Sequence, residues 1–203
     1  MNQRTEFAWV GGHACLDFVN TAGGATKSRN IERLGDYRAA VRWARIAGLI
    51  TTSEERKLRA LADAHPQQAA DQLAILRAER EDSYAVLLAI AAEQVPHERE
   101  IARIGSYIKD AVAIARLAMP RSKPCAWIVP ATITGLGVIR HRIALTMAEI
   151  LTGEDRLNIR ECEACSWLFL DRSPTKRRRW CSMAACGNRA KARRHYQRQP
   201  GAQ

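Results

Sequence analysis

Four cysteines near the end of the chain, Cys162, Cys165, Cys181 and Cys186, are spaced C-x2-C, fifteen intervening residues, C-x4-C. Two short cysteine pairs joined by a hairpin-length spacer suit tetrahedral zinc, because each pair spans one edge of the site and the spacer folds the pairs together. Four thiolates on one zinc carry a formal charge of about −2, and binding requires all four thiols to lose their protons. Arg160, Arg179 and Arg189 stand beside the ligands in sequence and favour that charge. The expected cofactor is one structural zinc ion. Ligand identity alone also leaves an iron–sulfur cluster open.

A segment this short cannot build a core from apolar side chains, so the metal replaces one. Trp167 to Leu170 reads as a strand, Asp171-Arg-Ser-Pro174 as a turn, and Arg178 to Cys181 as the returning strand. Gly187 and Asn188 then offer a turn and N-cap for a helix running to about Gln199, before Pro200 and Gly201. The module is therefore read as knuckle, hairpin, knuckle, helix, a zinc ribbon or treble-clef-like finger.

The string Cys186-Gly-Asn-Arg189, with Arg179-Trp-Cys-Ser-Met183 before it and Cys162-x2-Cys165 followed by Phe169-Leu-Asp171-x-Ser173, resembles the bacterial CGNR zinc-finger family. Gly11-Gly-His-Ala-Cys-Leu-Asp-Phe-Val-Asn-Thr21 resembles, more weakly, the opening of the ABATE domain that precedes such fingers. The resemblance implies a stress-induced transcription regulator that binds DNA, with residues 1–155 as the ABATE-like domain and 156–203 as the finger.

Charge supports a polyanion partner independently. Residues 156–203 hold 12 Lys and Arg against 3 Asp and Glu, so +9 of the chain's net +11 belongs to the finger and only +2 to the rest. Lys and Arg displace condensed counterions from phosphates, and a basic module is the footprint that leaves. On a helix after Asn188, Lys191, Arg194 and Arg198 share one face, while Ala192 and Tyr196 fall nearly opposite with Arg189 and Arg193 flanking that second pair, so that Tyr196 turns inward. Lys176, Arg177, Arg178 and Arg179 are placed at the hairpin tip, where they could follow phosphates from a second side. Arg189 has two readings, phosphate contact or neutraliser of the thiolates.

Duplex DNA is the first expected partner. RNA is the second, since Trp167 or Trp180, if exposed, could stack on unpaired bases. A protein-docking module with a structural zinc is the third reading. An enzyme ranks last, because four cysteine ligands close the site and no G-x-S-x-G, H-E-x-x-H or phosphate-cradling glycine loop is present.

The hydrophobic content of 47% across 203 residues suffices for one ordinary core plus a small module. No apolar run approaches the roughly 18 residues of a membrane span. Met1-Asn-Gln-Arg-Thr-Glu lacks the layout of a secretory signal, so a cytoplasmic protein with free thiols and no membrane partner is expected.

The larger part reads as α+β and predominantly helical. Gly11 to Thr21 is taken as a short strand or extended entry segment. His13, Asp17 and Asn20 within it could line a small-molecule effector pocket or form a capping cluster that ties the segment down. Helical spacing covers Leu34 to Gly48, a stretch opened by a Thr52-Ser-Glu-Glu55 capping box, a long helix from Pro66 towards Pro96, a stripe from Ile101 to Ala115, and Gly135 to Leu151. Cys125-Ala-Trp-Ile-Val129 reads as a strand paired with Ile114 to Ala118 or with the N-terminal segment. A homodimer that sets two fingers at half-site spacing is compatible with all of this.

Overall fold

A computed structural model describes residues 6–119 and 125–197. In the middle of its core lies α1 (Ala14–Val19), a helix where the sequence suggested an extended segment. Cys15, Leu16, Phe18 and Val19 on it are all fully buried. A helix buried on every side has no polar face, and six residues are too few to display a period. His13 caps it, its Nδ1 accepting from the Cys15 amide at 3.2 Å, and the Asp17 carboxylate accepts from the Gly11 amide at 2.8 Å.

Around α1 pack α2 (Tyr37–Ile46), α3 (Thr52–Ala64), α4 (Pro66–Ala91), α5 (Glu98–Ile114) and, after a short α6 (Ala131–Thr134), α7 (Val138–Thr152). Asp36 caps α2 by accepting from the Ala39 amide, and Trp43 stacks on Trp9 at 6.2 Å and leans on Phe18 at 5.4 Å. Pro66 occupies the first turn of α4, where its missing N–H would have had no partner. From α7, Ile139, Ile143, Met147 and Ile150 complete the core. β1 (Arg116–Ala118) and β2 (Ala126–Ile128) form an antiparallel hairpin with Leu117 opposite Trp127, the first of the two pairings the sequence allowed. Among the described residues no helix is long and apolar enough to cross a membrane.

The capping box of α3 falls one residue earlier than the sequence suggested. Thr51 accepts from the Glu54 amide and Glu54 accepts from the Thr51 amide. Register is decided from afar: Arg142 on α7 grips the Glu54 carboxylate with two nitrogens, at 2.6 and 3.0 Å, and also donates to the carbonyls of Leu49 and Val129. Hydrogen bonding from Arg142 holds the Glu54 carboxyl down from 4.5 to about 2. Its contribution is therefore complete above pH 4.5 and disappears as pH falls through 2. With solvent screening its outer edge, the pair contributes about 1–2 kcal/mol. Glu54→Gln should lower urea stability by that amount at neutral pH and by progressively less towards pH 2, where the two proteins converge; a pH-independent difference would assign the effect to something other than the ion pair.

After α7 the chain enters the finger with no separate linker. β3 (Ile159–Glu161) pairs antiparallel with β4 (Leu168–Leu170), in the register Ile159 to Leu170, Arg160 to Phe169 and Glu161 to Leu168. The expected partner, Arg178 to Cys181, is not a strand. Instead the hairpin spans the first knuckle, and 178–181 is held irregularly: the Arg178 amide donates to Asp171 at 2.8 Å, and the Glu163 amide to the Arg179 carbonyl at 3.0 Å. Alternation along β4 explains the arrangement. Leu168 and Leu170 join the main core with Ile159, while Phe169 faces the cysteines. A second knuckle runs into the helical turn Met183–Gly187 and then α8 (Asn188–Gln197).

Candidate metal centre and nucleic-acid interface

Each knuckle is closed by backbone. The Cys162 amide donates to the Trp167 carbonyl at 2.9 Å, and the Gly187 amide to the Ser182 carbonyl at 3.0 Å. These turns bring the four cysteine sulfurs within 4.8 Å of one another, with all four residues buried. Cys165 to Cys181 is 3.8 Å, Cys181 to Cys186 3.6 Å and Cys186 to Cys165 3.6 Å. A tetrahedron with zinc–sulfur bonds of about 2.3 Å has edges of about 3.8 Å, so the cluster is able to hold one zinc ion with little rearrangement. Four sulfurs complete that coordination, which is the pattern of a structural site.

Hydrogen bonds from the Cys165 and Cys181 thiols draw the Cys162 thiol well below its usual range, while donation to Cys162 pushes Cys165 up to about 12 and raises Cys181. A metal must displace the thiol protons of the cluster as it binds. Phe169, Trp167, Trp180, Ala164 and Val10 wall the cluster off from water.

Several of the arginines and lysines assigned to phosphates are bonded to the protein itself. Arg189 donates to the Cys186 sulfur at 3.0 Å, the neutralising role of its two readings. Arg178 donates to the Trp180 carbonyl at 2.9 Å and to that of Cys181, and lies over the Phe169 ring. Lys176 reaches Asn158 at 2.7 Å. Arg179 makes a two-pronged pair with Glu163, both contacts 2.6 Å. The stretch 176–179 is thus the link between β4 and the second knuckle, not a hairpin tip. Arg177, Lys191 and Arg193 are exposed and make no ion pair among the described residues. Arg198 and the side chains of Arg194, His195 and Tyr196 lie outside what is described.

His13, Asp17 and Asn20 take the tying role of the two the sequence left open. Burial pushes the Asp17 carboxyl up to about 6 against the opposing hydrogen bonds from Gly11 and Val10, and burial also lowers the His13 pKa. Asn20 does more than tie down its own segment. Its Nδ2 donates to the Leu168 carbonyl at 2.8 Å and its Oδ1 accepts from the Leu168 amide at 2.9 Å, so one side chain stands in for a neighbouring strand.

Sequence reading missed the rest of that junction. The Leu170 amide donates to the Gly11 carbonyl at 2.8 Å, and the Ser166 amide to that of Thr26 at 2.9 Å. Lys27 bonds the Cys162 carbonyl at 2.7 Å and Glu161 at 2.9 Å. Trp167 donates from Nε1 to the Ala22 carbonyl at 3.1 Å and carries Arg33 over its ring, so it is fixed between the two parts. Only the Gly23-Gly24 pair could have signalled this approach. Gly24 has φ of +100°, and a Cβ there would fall 2.2 Å from the Trp167 ring.

Two family models match consecutive segments of the chain. Residues 12–154 match the family model ABATE, described as "Putative stress-induced transcription regulator", and residues 158–199 match the CGNR zinc finger. A search of curated proteins finds no match.

Proposed function

This chain belongs to the ABATE family and carries a CGNR zinc finger, and on that premise we propose that it regulates transcription by binding duplex DNA through the finger. The observation that carries the reading is the charge of the finger, net +9 over residues 156–203. Of the cations the sequence assigned to phosphates, Arg177, Lys191 and Arg193 are exposed and unpaired among the described residues, while Arg178, Arg179 and Arg189 build the module that presents them. Phosphate contacts of this kind set affinity and register without choosing a sequence. The four-cysteine site offers no open position for a substrate, and the reading is of a binding protein, not an enzyme.

Changing Arg177 and Lys191 together to alanine tests the surface. Each lost phosphate contact should flatten the plot of log K against log salt by about 0.9, so the pair should remove up to about 1.8. A slope equal to that of the unaltered protein would show that the DNA lies elsewhere.

A further inference from the structure

Between the finger and the larger part lies an open cleft of about 590 Å³. One wall is the 25–27 loop, another the first knuckle at Glu163 and Ala164, and the third the face of α8 bearing Arg189, Ala190 and Arg193. That face differs from the one singled out in the sequence. Arg189, Arg193 and Gln197 recur every four residues and turn towards the cleft, whereas Lys191 points roughly 200° away from Arg189.

Three properties of the cleft agree on one chemistry. Its volume lies within the roughly 300–1,000 Å³ of small-molecule sites. Half-buried Trp180, which packs on the cysteine cluster and has the Arg179 guanidinium 5.0 Å from its ring centre, lends an aromatic edge backed by a planar cation, and the neighbouring walls at Ala25, Ala164 and Ala190 carry only methyl groups. Cations converge on it as well. Arg193 makes no ion pair among the described residues, Arg189 uses one nitrogen on Cys186, and Lys27, bonded to Glu161 and Cys162, retains a donor. Glu163, the acid in the lining, is neutralised by Arg179.

We propose that this cleft binds a nucleotide unit, with its base against Trp180 and its phosphate held by Arg189, Arg193 and Lys27. The same chemistry is presented by an unpaired nucleotide of a nucleic-acid strand and by a free nucleoside phosphate. The inference rests on the nucleic-acid reading for the first source alone. Because Lys27 comes from the larger part, the site exists only while the finger is docked on it, so occupancy and docking are coupled.

The test uses the zinc-loaded full chain and four probes: an octathymidylate, an abasic octamer of equal charge, AMP, and a random duplex. Stacking contributes about 1–3 kcal/mol per base, so the octathymidylate should bind about tenfold or more tightly than the abasic octamer. Ala190→Trp, which fills the cleft without removing a cation, should abolish that preference and leave duplex binding unchanged. Arg193→Glu, at an exposed position, should weaken both octamers and serves as the check should Ala190→Trp lose zinc. Equal binding of the two octamers with undiminished duplex binding would overturn the cleft while leaving the proposed function intact. AMP binding that Ala190→Trp removes, with no strand or duplex bound, would uphold the cleft and overturn the proposed function. Binding of none of the four would overturn both.

Discussion

Replacing Cys181 with serine is expected to drop zinc content from one per chain to near zero and to unfold the finger beyond its first strands. Structural zinc contributes on the order of 10–16 kcal/mol in isolated fingers, far more than the small cluster around Phe169 and Trp180 could supply. The damage should stop at a definite place. Ile159, Leu168 and Leu170 belong to the main core, so β3 and β4 remain anchored while the second knuckle and α8 lose their order. Most of the helical circular dichroism should survive, because α1 to α7 contribute none of the four cysteines. Retained stoichiometric zinc in this variant would refute the ligand assignment, and loss of all helical signal would refute the independence of the larger part's core.

Substituting Asn20 with alanine is expected to destabilise the whole protein by about 3 kcal/mol. The amide and carbonyl of Leu168 are buried, and each would be left without a partner at about 1–3 kcal/mol apiece. Asn20→Asp keeps the acceptor, loses the donor and buries a carboxylate, so it should be no better tolerated. Since Leu168 belongs to the hairpin that closes the first knuckle, the alanine variant should also release zinc faster to a chromophoric chelator. Urea midpoints and chelator kinetics within error of the unaltered protein would show that the clamp contributes nothing.

The metal site was legible in the sequence because its determinants are local. C-x2-C and C-x4-C each fix an edge of a tetrahedron whatever surrounds them, and the sulfur distances agree. Strand pairing in the finger was not legible. Leu168 to Leu170 is three residues long and apolar throughout, so although its side chains alternate between two cores, no polar–apolar pattern says which neighbour it joins. For the cap of α3, Thr51 with Glu54 and Thr52 with Glu55 satisfy the same local rule, and the choice between them is made by Arg142 from across the fold. Helix α1 stayed hidden for the opposite reason to an amphipathic helix such as α2: with apolar neighbours on every side it needs no polar stripe. Counting charges places +9 of the net charge on residues 156–203. It does not separate Arg177 and Lys191, which face water, from Arg178, which donates to two carbonyls, and Arg189, which spends one nitrogen on the Cys186 sulfur.

That separation gives the regulator reading its physical form, a scaffold able to hold a metal, whose inner arginines build it and whose outer cations face water. The docked hairpin ties the finger to the larger part through Asn20, Gly11 and Lys27.

The most direct measurement of the central claim is the affinity of the zinc-loaded full chain for random duplex DNA across a salt series, alongside the Cys181→Ser protein. A linear fall of log K with log salt, with a slope of at least about −2 and lost in the serine variant, is the result this account predicts. Absence of duplex binding at low salt, or binding equal in the zinc-free variant, would contradict it.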